Sequence, residues 1–468
     1  MKTQYLQRML IGLGLTMTLA VPWVSAVDRY VAPNGTGGGT SWTDTHSNLI
    51  AMVALAGDND TVYVTNNAKY YLTNQIVVGN AITVRSWGPG GILDPTNTII
   101  DANYPGVAVT NRHFMLSNYW ATLAGFTLTN GWDSSYETDS IGGGSIYLKY
   151  GIVTNCIIMR NHSIKLYGSY NRSGGGGIFM GLDPVHSGGV WNCTISGNFN
   201  GNSGNSSGGG IFVYRGTWRI ANCTISGNTS QSGAGIGLSD GGAAGGGQTI
   251  ISNCWVVSNY ADWYGGGITL YPASAQCHNS FIMGNTAGTY SGGGFRTGNG
   301  NLIRNCLIAN NSNSGSSGAY GGGIDAGSTV IQNCTIASNA VTAGVGGIYI
   351  DGSAMLENTI IWGNKSSGTY SNWNIISGAN TFTNCCILPQ IVSAYATAVN
   401  TITNDPRFIS TTDFRLQPNS PCINAGTNET WMIGAKDLDG HQRIDQFGRQ
   451  VDIGAYEYLA EGTLFVIH

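Results

Sequence analysis

From about residue 140 to residue 390, apolar and polar positions alternate in runs of only three to six residues. In "NCTIS" at 192–196, Cys193 and Ile195 fall on one side and Thr194 and Ser196 on the other, the period of two expected of a half-buried strand. A second alternating run, announced by glycines, precedes each such phrase: "GGGIFM" from Gly175, "GGGIFV" from Gly208, "GAGIGL" from Gly233, "GGGITL" from Gly265, "GGGFRT" from Gly292, "GGGIDA" from Gly321 and "GGIYI" from Gly346. Two or three short strands separated by turns are therefore predicted per unit. No helical stretch of ten residues joins them, which excludes leucine-rich horseshoes and helical repeats.

The units recur. The phrase "NCTISGN" stands at 192–198 and again, unchanged, at 222–228. Looser copies begin at Asn155, Asn253, Asn279, Asn305, Asn333 and Asn358, and in all eight copies the residue six positions on is another asparagine: Asn161, Asn198, Asn228, Asn259, Asn285, Asn311, Asn339 and Asn364. A ninth copy at Asn384-Cys385 has Gln390 at that step. Intervals of 25 to 37 residues mark a solenoid or an array. A β-propeller would want longer strands and a closing motif.

The architecture that remains is all-β: a right-handed, single-stranded parallel β-helix in which each repeat is one coil and equivalent residues stack about 4.8 Å apart. Stacked asparagines at one corner can pass amide hydrogen bonds along the axis, and the cysteine fills the next inward slot as a small apolar residue. Stacked cysteines have parallel Cβ vectors, which strains a disulfide, so buried free thiols are expected. Cys277, Cys385, Cys386 and Cys422 lie beside or outside that file and leave room for one local bridge.

Both ends of such a solenoid need covers. Residues 44–56, "DTHSNLIAMVALA", form the one convincing amphipathic helix, with Asp44 or Thr45 as N-cap, and it is expected to plug the first coil. Ahead of it, Lys2 and Arg8, the run "MLIGLGLTMTLA" and "VSA" before Val27 read as a secretory signal peptide, too short for the roughly 20 residues of a membrane span. The chain thus divides into a leader at 1–26, an N-terminal cap with first coils at 27–110, repeat coils at 111–400, a C-terminal capping segment at 401–458 and a short tail at 459–468.

Composition narrows the function. With 71 glycines and 9% charged residues the chain is turn-dense. A net charge of −4 without any Lys/Arg run argues against nucleic acid as a partner. The expected mature protein is an exported monomer, secreted or at a bacterial cell surface, with no transmembrane segment.

Two sets of motifs resemble known families. The opening "YVAPNGTGGGTSW", with "DTVYV" and "AGFTLTNG", is similar to the start of right-handed β-helix proteins of the pectate-lyase-like superfamily. "NDPRFI", "DFRLQPNSPCINAG", "DLDGHQRID" and "VDIGAYEY", between Asn404 and Tyr458, resemble the ending of exported choice-of-anchor Q proteins. The repeats are also similar to those of polymorphic outer-membrane proteins. The first resemblance implies a fold that hosts polysaccharide lyases and glycoside hydrolases, although fold does not confer activity.

Candidate chemistry lies on the outward face of the glycine strands. Register places Phe179, Phe212, Gly237, Thr269, Arg296, Asp325 and Tyr349 in one column, with Tyr214, Tyr271 and Asp351 two residues further on. Arg296, Asp325 and Asp351 are the candidate catalytic set, weighed against a mere stacked surface ion pair. Phe179, Phe212, Tyr214, Tyr271 and Tyr349, with Trp263, Tyr264, Tyr290 and Tyr320 from the edge before the glycines, are the candidate glycan-binding rings. Tyr167, Tyr170, Tyr260, Tyr370 and Trp373 extend that edge. Asp437 and Asp439, with Asp445 and Asp452, could bind calcium or simply form turns. His113, His162, His186, His278 and His441 have no nucleophile partner in a known motif. The expected function is binding of extracellular polysaccharide, or adhesion, without a catalytic motif; the alternatives are a lyase or hydrolase of an acidic glycan, and a purely structural spacer.

Overall fold

The computed structural model describes residues 26–102, 111–133, 142–164, 174–181, 185–201, 208–239, 247–271, 274–315, 320–444 and 449–459. The leader at 1–26 and the tail at 459–468 fall almost wholly outside these residues, and Tyr167, Tyr170 and Asp445 lie outside them. Within them the chain is the expected right-handed parallel β-helix. It has four sheets rather than the two or three strands per coil read from the pattern. One coil shows the order: Thr217–Ala221 in the first sheet, Thr224–Ser226 in the second, Thr229–Ser232 in the third and Ile236–Ser239 in the fourth. Among the described residues these sheets hold 14, 12, 10 and 11 strands respectively. The strands that stack from coil to coil pair in parallel, as Thr194, Thr224 and Trp255 do.

The repeated phrase encodes two corners and a ladder. Its first asparagine takes a left-handed backbone, with φ 53° at Asn192 and 55° at Asn222, and turns the chain from the first sheet into the second. Its sixth residue is left-handed as well, with φ 60° at Gly197 and 61° at Gly227, and turns the second sheet into the third. A Cβ on Gly197 would meet nothing within 4 Å, so backbone conformation alone favours glycine there. That is why Arg160, Ser258, Asn310 and Ser338 can stand at the same place, at φ 55–56°.

The second asparagine is the interior ladder. Asn259 Oδ1 accepts from Asn228 N and from Asn228 Nδ2, both at 3.0 Å. Asn259 Nδ2 donates to Ile225 O at 3.0 Å and to Asn285 Oδ1 at 2.9 Å. Both donors and both acceptor positions of a buried amide are thereby satisfied. The chain of amides runs from Asn161 through Asn364 and closes on Asn372, reached through the hairpin of Lys365–Ser366 and Thr369–Tyr370, rather than on Gln390. Near its start, Gly131 N donates to Asn161 Oδ1 at 2.8 Å, and a Cβ on residue 131 would collide with Gly144 O and press on Asn161 Oδ1 and the His113 ring.

Cysteines line the neighbouring file, and all ten are buried and free, including Cys277, Cys385, Cys386 and Cys422. They do more than fill space. Each file thiol donates to the carbonyl two residues back, as Cys223 Sγ does to Ala221 O at 3.2 Å. Ser280 and Thr359 make the same bond to His278 O at 2.7 Å and Glu357 O at 2.8 Å, which explains their interchange with cysteine.

The helix is shorter than expected, Leu49–Leu55, and its N-cap is Asn48, whose Oδ1 accepts from Ala51 N at 3.0 Å. Asp44 is committed elsewhere. Its carboxylate accepts from Gly38 N at 2.9 Å and from Thr40 Oγ1 at 2.7 Å. Leu49, Met52 and Val53 join the core at the N-terminal end. At the other end Ile391 joins the core, while Ala396–Val399 adds the last strand of the first sheet.

The segment at 401–458 covers more than the end. It folds back along the outside of the second sheet, where Phe414, Ala455 and Tyr456 pack on Leu307, Ala309 and Ala337, and Leu416, Cys422 and Ile453 pack on Ile360 and Cys386. Corner asparagines tether it: Asn305 Nδ2 donates to Lys436 O at 2.8 Å and Asn358 Nδ2 to Thr427 O at 2.9 Å. Arg443, fully buried, donates to Asn305 Oδ1, to Gly454 O at 3.0 Å and to Glu457 Oε1 at 2.7 Å.

Three outcomes follow. Asn259→Ala removes four ladder bonds and strands a buried N–H on Asn228, so it should cost about 3 kcal/mol or more of stability. Asn222→Gly, at an exposed left-handed corner, should stay within about 1 kcal/mol of the parent in the same denaturant titration. Burial pushes His113 down to about 4, its Nε2 lying 3.0 Å from both Ile100 O and Thr129 O. The folded protein keeps this ring neutral while the unfolded chain protonates near pH 6.5, so its stabilising share is whole above that pH. It should be lost as pH falls towards 4, by roughly 3 kcal/mol. His113→Asn should flatten that limb of a Tm-against-pH curve.

Candidate functional site

The fourth sheet positions the candidate side chains. In Ile268–Leu270, Phe295–Thr297, Ile324–Ala326 and Ile348–Asp351 the first residue points into the core and the second outwards. The glycines ahead of these strands press against the adjacent coil. A Cβ on Gly294 would come within 2.6 Å of Gly323 O and 3.0 Å of Asn311 Nδ2. The amide ladder thus fixes where each strand starts, and the outward residues fall in line.

Thr269 pairs with Arg296, Arg296 with Asp325 and Asp325 with Tyr349, the column expected from register. Around it lies a groove of about 390 Å³ lined by Tyr264, Tyr290, Ser291, Arg296, Thr297, Tyr320, Asp325, Ala326, Gly327, Tyr349 and Asp351. It brings all three charged candidates together with four of the candidate rings. Tyr264, Ser291 and Tyr320 share a further column at its edge.

Within the groove Arg296 is held on three sides. Its Nη1 donates to Ser291 Oγ at 2.7 Å and lies 3.4 Å from Asp325 Oδ2, while the guanidinium sits 4.1 Å above the Tyr264 ring centre. The rings form two stacked pairs, Tyr264 with Tyr290 at 5.0 Å and Tyr320 with Tyr349 at 4.3 Å. Trp263 meets Tyr264 and Tyr290 edge-on from outside the groove lining. Tyr290 and Tyr320 are each 43% exposed and offer ring surface to a ligand.

Asp325 is only 9% exposed. Burial raises its carboxyl above the usual range, while Arg296 and a hydrogen bond with Ser291 pull it back and Asp351 pushes it up again. This is more desolvated than the exposed stacked ion pair weighed from sequence, whose worth would be at most about 1 kcal/mol. Asp351 faces the same space, and its Oδ1 accepts from Ser377 Oγ at 2.7 Å.

Other candidates are corrected. Phe179, Phe212 and Tyr214 do point away from the core, yet they are buried and pack with Tyr147 and Met115 into a second apolar cluster, so they offer no free face. Tyr349 is mostly buried under Tyr320 and contributes an edge. Tyr271 is partly exposed but lies outside the groove lining, 5.8 Å from Arg296. The oxygens of Asp437 and Asp439 are engaged. Asp437 Oδ1 accepts from Asp439 N and His441 N, and Arg415 grips Asp439 with Nε at 2.6 Å and Nη2 at 3.0 Å. These are turn and ion-pair roles, and among the described residues no cluster of three or more His, Cys, Asp or Glu could hold a metal ion. Ser291 was missed from sequence, since one serine before a glycine run carries no signal of its own; only its register with Tyr264 and Tyr320 singles it out.

No helix of the described residues is long and apolar enough to cross a membrane. No curated protein matches the chain in sequence. Among solved structures it is similar to the pectate lyase Pel9A, at 15% identity and a TM-score of 0.44 over 92% of this chain and 96% of that one. It is similar also to XylC in complex with xylose, at 9% and 0.41 over 93% and 99%, and to the alginate lyase AlyF-OU02 with G6, at 13% and 0.39 over 85% and 92%. Residues 209–387, which carry the groove and most of the amide ladder, match the family model for a right-handed beta helix region.

Proposed function

We propose that the protein binds polysaccharide in the Arg296 groove, and that it does so outside the cell or at its surface. The observation that carries this is the pairing of stacked, half-exposed tyrosines with a guanidinium in one groove. Ring faces take the apolar faces of sugars, and an arginine held by Ser291 and Tyr264 can take a carboxylate in a fixed orientation. The groove spans four coils, about 14 Å at the spacing of paired strands, which suits several sugar units rather than one. Export is supported by the apolar leader at 1–26.

Retention on a panel of acidic and neutral polysaccharides tests the proposal. Acidic chains should be held, and Arg296→Ala and Tyr290→Ala should each weaken retention about tenfold. No retention on any polysaccharide, together with binding to a protein receptor, would instead identify an adhesin.

One observation favours a second reading, cleavage of an acidic glycan by Arg296, Asp325 and Asp351. A buried carboxyl raised by desolvation beside a cation is suited to proton transfer. Incubation with pectin, alginate and sulfated glycans should then yield unsaturated or new reducing ends, abolished in Asp325→Asn. Because Arg296 opposes the effect of burial on Asp325, Arg296→Met should move the Asp325 titration further up, followed by carboxyl carbon NMR.

A further inference from the structure

A second cleft, unrelated to the groove, opens where the C-terminal segment meets the last coils. It encloses about 590 Å³, and its chemistry is set by Trp362, Lys365, Tyr370, Asp405, Arg407 and Phe408. Trp362 ends the second-sheet strand Ile360–Trp362, and Lys365 and Tyr370 pair across the hairpin that closes the amide ladder. Asp405, Arg407 and Phe408 come from the folded-back segment. Neither wall exists without the other, so the cleft is a product of that docking.

Two features give it a ligand preference. Lys365 and Arg407 are exposed, and neither has a carboxylate within ion-pair distance among the described residues. Lys365 Nζ lies 5.9 Å from the centre of the Tyr370 ring, which is 70% exposed. Asp405 is turned towards its own chain, its Oδ1 accepting from Arg407 N at 2.8 Å, which leaves its second oxygen for a hydroxyl donor. The charged lining therefore carries one net positive charge, bordered by Trp362, Tyr370 and Phe408. A singly charged carboxylate on a hydroxylated ring matches this set: two cations for the anion, aromatic faces for the ring and an acceptor for its hydroxyls. A phosphate dianion would leave charge unmatched and face Asp405.

We infer that this cleft is a binding site for a carboxylated sugar, a uronate, separate from the Arg296 groove. The inference does not rest on the groove's function. It is tested on the whole protein by the rate at which Lys365 is acetylated by an amine-reactive ester, read by peptide mass spectrometry with and without glucuronate. Glucuronate should slow labelling of Lys365 at least fivefold and leave exposed Lys436 unchanged. Glucose should protect neither, and Arg407→Gln should abolish the protection. Unchanged labelling of Lys365 under saturating glucuronate would overturn the inference, as would equal protection by glucose or full protection in Arg407→Gln. Because the readout is Lys365 itself, loss of polysaccharide retention in Arg296→Ala bears only on the groove.

Discussion

Register in this solenoid depends on one buried amide per coil. A parallel β-helix has no closing contact to fix how far one coil slides over the next, and a slip of one residue would send every side chain to the opposite face. The asparagine ladder removes that freedom, because each amide is fully satisfied only when the asparagine of the neighbouring coil stands beside it. An interior position that demands four hydrogen bonds discriminates between registers far more sharply than apolar packing, which tolerates a shift at modest cost. Everything outside the core inherits this alignment, including Arg296 opposite Asp325.

The ladder was legible in the sequence because its requirement is local and repeated. Asparagine at the sixth step and a small thiol or hydroxyl after the first asparagine recur with each coil, so period, inward file and outward column could all be read. The partition of duties was less legible. The first asparagine turns the backbone and passes amide bonds along the corner, as Asn222 Nδ2 does to Asn192 Oδ1 at 3.2 Å, while the second serves the interior; identical letters do not reveal which is which until the left-handed φ of Asn222 and the burial of Asn228 are seen. Helix length was misjudged for a similar reason. Asp44 and Asn48 are both good caps, and the glycine turn at 37–39 claims the former.

Exposure was the part that could not be read. Alternation tells which side of a strand a residue takes, but not what lies over that side. Phe179 and Phe212 meet edge to face outside the core, and with Tyr147 and Tyr214 they form a cluster that is itself buried. The second sheet's flank is covered by residues more than a hundred positions away, as in the contact of Asn305 with Arg443. Such long-range docking has no period, and "DLDGHQRID" and "VDIGAYEY" look like turns until the coil surface they fit is known.

That docking also explains why charge is so unevenly spent. Glu457 is raised to about 8 by burial even though Arg443 beside it favours the ionised form, so the clamp is held under strong desolvation. Such an ion pair adds little net stability but penalises any displaced position of the segment, since moving it would leave Arg443 buried without its acceptors. The cleft beside Trp362 requires the segment to sit in one place relative to the last coils, and a clamp that punishes displacement is what holds two separate stretches of chain to a common wall. The same logic holds in the groove, where Arg296 and Asp325 are aligned by the ladder rather than by their own attraction, leaving the guanidinium free to exchange part of that attraction for a ligand's.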